Sequence, residues 1–346
     1  MSAPKKRWAQ IDKLYTIGIT LVLIGHSHSS TWANFYRTPL HLAVLFIYTF
    51  HMPLFFFVAG VLFQNSTSLE RKGYRKWIGE KALRLLTPYV FWTLLAMVPK
   101  LYLLEHSLAH LTPRFVLEGL FIPRGITWGH FWFIPVLFLT YVLFGASRAM
   151  ARHAKDRRFM QAGGAVCACL ALALYFSPID WLFLALADLK KSLIFFTLGM
   201  AFRAYFPIDR LSAWIAPGGK WRSAALGGAA LGLFVAAVIW LAAGELPVVS
   251  LLVAVLMLLV CWVLAELLPS TAISRQVGQN SFTVYIFSWF FQAAVMVLCD
   301  RMHFSWQLTF VCMFLAGAVG SAALLWLCAR LPLMKKRFFR LVFGLR

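Results

Sequence analysis

The sequence predicts an all-α, polytopic integral membrane protein of about ten transmembrane helices, with both termini in the cytoplasm. Three observations predict it. First, the 346 residues are 61% hydrophobic and only 13% charged, with 32 Phe, 14 Trp and a mean hydropathy of +0.76. A soluble domain of that size could not cover so much apolar surface. Second, apolar runs of roughly 20 residues, the length that crosses a bilayer core as a helix, recur along the whole chain. Third, the Lys and Arg residues fall in alternate connections, as the positive-inside rule requires.

Taken in order, the expected spans are 12–32, 40–63, 84–104, 130–147, 161–177, 189–206, 223–243, 248–268, 281–299 and 306–330. Polar, Gly or Pro breaks separate them. The chain from 1 to 346 reads as a single transmembrane domain, because no segment is long and polar enough to fold apart from it. Lys5, Lys6, Arg7 and Lys13 precede or open the first span. Arg71, Lys72, Arg75, Lys76, Lys81 and Arg84 lie between the second and third, and Arg330 to Arg346 close the chain. The opposite side carries Arg37, Arg114, Arg124, Lys190, Lys191 and Arg301. A wrong span count would scramble this split.

The same map accounts for the formal charge of +21, which in a soluble protein would point to nucleic acid. Here it points to membrane lipids, and no nucleic-acid motif is present. The basic N-terminus before an apolar run has the look of a signal peptide. No small-residue cleavage site follows, so an uncleaved first span is expected. The six Cys lie in or at the ends of apolar runs without a C-x-x-C pair. They read as small packing residues, not as disulfides or metal ligands.

The histidines run against the basic residues. Of the nine, only His153 falls in an expected cytoplasmic connection. His26 lies inside the first span, where an ionisable group costs roughly 2 kcal/mol or more and marks a functional site facing the bundle interior. His51 is about ten residues into the second span, roughly 15 Å deep at 1.5 Å per residue. The two are expected to face one cavity. An imidazole is the side chain suited to proton transfer near neutral pH. Pro53, two residues beyond His51, removes a backbone donor and is expected to kink its helix. His51 then either works in the cavity or satisfies the kink. Glu105, His106 and His110 have metal-like spacing but no third ligand, so no metal is expected.

Four segments follow one another in a recognisable order. They are Ile11-Asp12-Lys13-Leu14 leading to Gly25-His26-Ser27; Phe50-His51-Met52-Pro53; Lys81-Ala82-Leu83-Arg84; and His130-Phe131-Trp132-Phe133. A weaker fifth runs from Gly278-Gln279-Asn280-Ser281 to Tyr285. Together they resemble the acyltransferase 3 family of membrane O-acyltransferases, in particular its fucose 4-O-acetylase-like branch.

The resemblance implies transfer of an acyl group, expected to be acetyl, from cytoplasmic acyl-CoA to a hydroxyl of a surface or exported carbohydrate. The expected location is the bacterial inner membrane. It makes His26 the catalytic histidine, with His51 beside it. Lys81 and Arg84, one turn apart on one helix face, are expected at the CoA phosphates, and His130 and Trp132 on the acceptor side. Asp12, Tyr15, Asn280 and Ser281 are supporting residues. Asp12 is a candidate cap for the first span or a partner of Lys13 or Arg84. No bound cofactor is implied; acyl-CoA is a co-substrate, and the oligomeric state is open.

Two positions depart from the family pattern. Tyr15-Thr16 replaces a basic residue followed by Gly, eleven residues before the histidine, and Ser288 stands where a ninth-span histidine is usual. Lys13 lies about 160° from Tyr15 around a helix of 3.6 residues per turn, so it is no simple substitute. His26 can serve either as general base or as acyl carrier. A transporter with a histidine proton relay and an inactive acyltransferase relative are the competing readings. The concentration of histidines in the first 130 residues, without internal repeats, favours the enzyme.

Overall fold

A computed structural model describes residues 9–28, 35–101, 111–125, 129–151, 157–206, 208–215, 218–244 and 246–345. Among them every regular element is helical and no strand occurs. The helices are α1 (Ala9–Gly25), α2 (Pro39–Gln64), α3 (Ser68–Lys72), α4 (Tyr74–Lys100), α5 (Pro113–Phe121), α6 (Phe133–Ala151), α7 (Arg157–Phe176) and α8 (Leu186–Tyr205). They continue with α9 (Ile208–Ile215), α10 (Arg222–Ala243), α11 (Pro247–Leu267), α12 (Ala272–Gln279), α13 (Ser281–Arg301), α14 (Trp306–Arg330) and α15 (Arg337–Val342). The first eight residues, and with them Lys5, Lys6 and Arg7, lie outside the described residues. So do Glu105, His106 and His110.

Seven described helices are long and apolar enough to cross a membrane: α2, α4, α6 with the turn before it, α10, α11, α13 and α14. The other three expected spans are also helical. α1 is 17 residues long, one turn or so short of a full crossing. α7 is apolar over Ala165–Phe176, and α8 carries Asp188, Lys190, Lys191 and Arg203. Outward-facing side chains of α10 and α14 such as Leu231, Phe234, Leu315 and Val319 are apolar and exposed. That is the surface lipid tails call for and water does not.

The described chain forms two compact units. The first holds residues up to Val58 and 206–334; the second holds 59–205 and 335–345.

In the first unit α1 is the hub, packing on α11, α12, α13 and α14. Gly278 allows the approach of α12, and Gly18 that of Phe55 on α2. A Cβ at Gly278 would lie 2.6 Å from the Cα of Asp12, backbone against backbone, and one at Gly18 would lie 2.9 Å from the Phe55 ring. The helix ends are closed by their own sequence. Thr271 and Ser274 form a capping box on α12, Pro247 opens α11, and the Ser305 side chain caps α14, each satisfying or removing an orphan N–H.

The second unit has an aromatic core. Phe63 packs against Trp77 and Phe196 at ring separations of 5.8 and 5.5 Å, and Phe144 against Phe196 at 4.7 Å. Arg148 ties the end of α2 down. It donates to the carbonyl of Phe63 at 2.8 Å and pairs with Glu70 at 2.6 Å. A cation at a helix C-terminus is favourable through the exposed carbonyls there.

Candidate functional site

α1 does not run to residue 32 as the sequence predicts. It stops at Gly25, and His26 is the first residue beyond it. The stop brings His26 to a helix end instead of the outer half of a continuing span. Its ring is half-buried and lies edge-on to Trp289 of α13 at 5.5 Å and tilted to Tyr48 of α2 at 6.1 Å. Tyr48 in turn lies 5.3 Å from the His51 ring and 6.3 Å from that of His28, so in the first unit these three histidines surround one tyrosine.

Tyr48 ties the cluster together. Its hydroxyl donates to the carbonyl of Gly25, one of the carbonyls a helix end leaves without an intrahelical partner. Its ring lies so close that a Cβ on Gly25 would meet Cε1 at 2.7 Å. The same oxygen is 3.1 Å from Nε2 of His28. Since the Tyr48 proton is given to Gly25, Nε2 of His28 is the donor in that second bond.

His51 is buried. Its Nδ1 lies 3.0 Å from the carbonyl of Ile47, and a carbonyl only accepts, so Nδ1 carries the proton. In the neutral ring Nε2 then holds the lone pair. The carbonyl that Pro53 deprives of a partner is that of Thr49, four residues back. The Nδ1 bond of His51 goes to Ile47, two residues before that carbonyl. α2 nonetheless continues as a helix through Pro53 to Gln64.

The supporting residues are also placed. Tyr15 packs on Phe55 with ring centroids 6.0 Å apart. Lys13 points elsewhere, as its helical angle requires: Nζ donates to the carbonyl of Leu268, just past the end of α11, at 2.9 Å. It lies within electrostatic reach of Glu266, which accepts from Ser212. Asp12 is buried within α1, not at its cap position, and its carbonyl accepts from Thr16 at 2.9 Å. Asn280 joins α12 to α13, donating to the carbonyl of Gln276 at 2.9 Å, while Ser281 is buried at the start of α13.

Lys81, Arg84, His130 and Trp132 belong to the second unit. The Lys81 ammonium sits over Tyr141, 4.1 Å from the ring centroid, and near Trp77 at 5.5 Å. Arg84 is exposed. His130 is buried in the turn Gly129–Trp132. One face of Trp132 is covered by the Arg124 guanidinium at 4.5 Å. Arg124 in turn grips Asp188 through two 2.6 Å bonds.

Sequence reasoning missed Tyr48, Trp289 and Gln292, a fully buried amide one turn beyond Ser288. The rule that singled out His26 was applied to ionisable groups only. A glutamine within an apolar span is a weaker form of the same signal.

Comparison with known proteins adds a family match. The model of a family described as "Acyltransferase domain" matches residues 8–330. The Nodulation protein NolL of Mesorhizobium japonicum is 32% identical over 136 residues, covering 36% of this chain and 32% of that protein. The Nodulation protein NolL of Sinorhizobium fredii is 29% identical over 199 residues, covering 55% of this chain and 47% of that protein. The chain therefore spans less than half the length of these curated relatives. No solved structure matches.

Proposed function

The chain belongs to this acyltransferase family, a family of membrane proteins, and on that premise we propose that it is a membrane O-acyltransferase. It moves an acyl group, acetyl in the simplest case, from cytoplasmic acyl-CoA to a carbohydrate hydroxyl outside the bacterial inner membrane. The observation that carries the reading is the histidine cluster at the end of α1, where His26 meets Trp289 and Tyr48, and Tyr48 meets His51.

A sugar hydroxyl is a weak nucleophile until its proton is removed. In the first route His26 takes that proton while the hydroxyl oxygen attacks the thioester carbonyl. The C–S bond then breaks, and the imidazolium returns the proton to the departing thiolate. In the second route the lone-pair nitrogen of His26 attacks the thioester, the C–S bond breaks, and the N–H proton of the ring goes to the departing thiolate. The sugar oxygen then attacks the acylated imidazole, the N–C bond breaks, and the hydroxyl proton returns to the ring. Nε2 of His51 is chemically equipped to accept a proton or to hold a hydroxyl in either route. Arg84, exposed on α4, suits the CoA phosphates through its planar fork. Lys81 contributes charge from its seat on Tyr141, and His130 and Trp132 serve the acceptor.

Purified protein given radiolabelled acetyl-CoA and crude surface glycan tests this. Transfer of label to glycan is expected from the wild type, and background counts from His26→Ala. Transfer that survives His26→Ala would remove His26 from the chemistry. Absence of transfer from the wild type with several acyl donors would overturn the enzyme reading.

A further inference from the structure

The last turn of α1 is largely enclosed, with Leu23, Gly25 and Ser27 buried, and a buried helix end needs partners for its carbonyls. All four terminal carbonyls have partners. The carbonyl of Val22 accepts from the His26 amide at 3.0 Å and that of Ile24 from the Ser27 amide at 3.1 Å. The carbonyl of Gly25 accepts from Tyr48. The carbonyl of Leu23 takes two donors, the Ser27 hydroxyl at 2.6 Å and the Gln292 amide nitrogen at 2.9 Å. The same nitrogen is 3.0 Å from the Ser27 oxygen.

Ser27 gives its only hydrogen to Leu23, so it accepts from Gln292, and both hydrogens of the Gln292 amide are used, one on Leu23 within the last turn and one on Ser27 just beyond it. The amide oxygen of Gln292 has no hydrogen-bond partner among the described residues. Both Ser27 and Gln292 are fully buried, at 0% exposure. α14 makes room for the glutamine at Gly317, where a Cβ would lie 3.0 Å from Cγ of Gln292 and 2.8 Å from Leu23. Trp289, which touches His26, is one turn away on the same face of α13.

We infer that Gln292 is a positioning residue for His26. Through Leu23 and Ser27 it locks the last turn of α1 to α13, so that the chain leaves the helix at one fixed point and the imidazole is held against Trp289 and Tyr48. The inference rests on His26 being the reacting histidine of the proposed function. It assigns a task to a glutamine far from His26 in sequence, and to the serine beside it.

The test uses the full-length purified protein and two readouts. The first is the rate of carbethoxylation of His26 by diethylpyrocarbonate, followed by peptide mass spectrometry. It needs no enzymatic turnover. Gln292→Met keeps the side-chain length and removes both donors. It is expected to speed modification of His26 at least threefold while leaving His51 unchanged, because the released turn uncovers the ring. Ser27→Ala and Gly317→Ala, milder changes that keep the fold if Gln292→Met does not, are expected to shift His26 in the same direction.

The second readout is acyl transfer. In Gln292→Met kcat is expected to fall tenfold or more, with KM for acetyl-CoA within twofold. Ser27→Ala combined with Gln292→Met should be no worse than Gln292→Met alone, because both act on one network. Unchanged His26 modification in Gln292→Met and Ser27→Ala overturns the inference, and so does fully additive loss. A wild type that transfers no label sinks the acyltransferase reading alone, since the modification rates still decide the role of Gln292.

Discussion

At the scale of the residue, His51 is the histidine whose two ring nitrogens have separable tasks. Nδ1 holds the ring to Ile47, and Nε2 carries the lone pair. Asparagine presents its N–H close to where Nδ1 does and has nothing in place of Nε2. His51→Asn is therefore expected to keep the wild-type melting temperature in detergent and to lose acyl transfer at least tenfold, as is expected of His51→Ala. Retention of more than a third of the activity in His51→Asn would make the Ile47 bond, and not the lone pair, the contribution of this residue. Trp132 is a second case. Its covered face bears Arg124, which is already committed to Asp188. On the proposed acceptor role of Trp132, Trp132→Ala is expected to raise the KM for acceptor while leaving that for acetyl-CoA within twofold.

At the scale of the element, α1 is set in place by a glycine on another helix. The Gly278 contact with Asp12 is between backbones, so neither side can swing away as a side-chain tip would. Gly278→Ala has to push α12 off α1, an overpacking cost on the order of 1–3 kcal/mol. The expected result is a melting temperature several degrees lower in detergent, with Gln279→Ala, its half-buried neighbour, close to wild type. An unchanged melting temperature in Gly278→Ala would mean that the two helices are not held at this distance. The motif Gly278-Gln279-Asn280-Ser281 thus serves first as a corner between α12 and α13 against α1. Its position in the sequence made it noticeable, but nothing in the sequence said what the glycine faces.

At the scale of the whole molecule, the apolar exterior and the alternation of charge imply a definite orientation. In a variant with its six native cysteines replaced, Lys76→Cys and Met302→Cys sit at exposed positions in connections of opposite expected sidedness. A membrane-impermeant maleimide is expected to label Met302→Cys in intact cells and Lys76→Cys only after permeabilisation. The reverse pattern would invert the topology and with it the sides assigned to donor and acceptor.

Much of this was legible in the chain. Composition alone determined a helical membrane protein, because a bilayer forces every spanning backbone group to find its partner within a helix or a closed barrel, and these runs are of helical length. His26 and His51 were legible as costly ionisable groups, and the ordered motifs pointed to the family that residues 8–330 match. Three things were decided only by tertiary structure. One is where α1 ends, at Gly25 and not near residue 32, because its last carbonyls are taken up by Tyr48 and Gln292 from other helices. Another is the bonding of each His51 nitrogen. The third is the direction of Lys13, which goes to the end of α11 and away from the Tyr15 face. Hydrophobic periodicity reports how much of a segment prefers lipid. The hydrogen bonds at a helix terminus within that segment come from other helices, here from Tyr48, 23 positions from its partner, and Gln292, 269 positions from its own, and no local pattern records them.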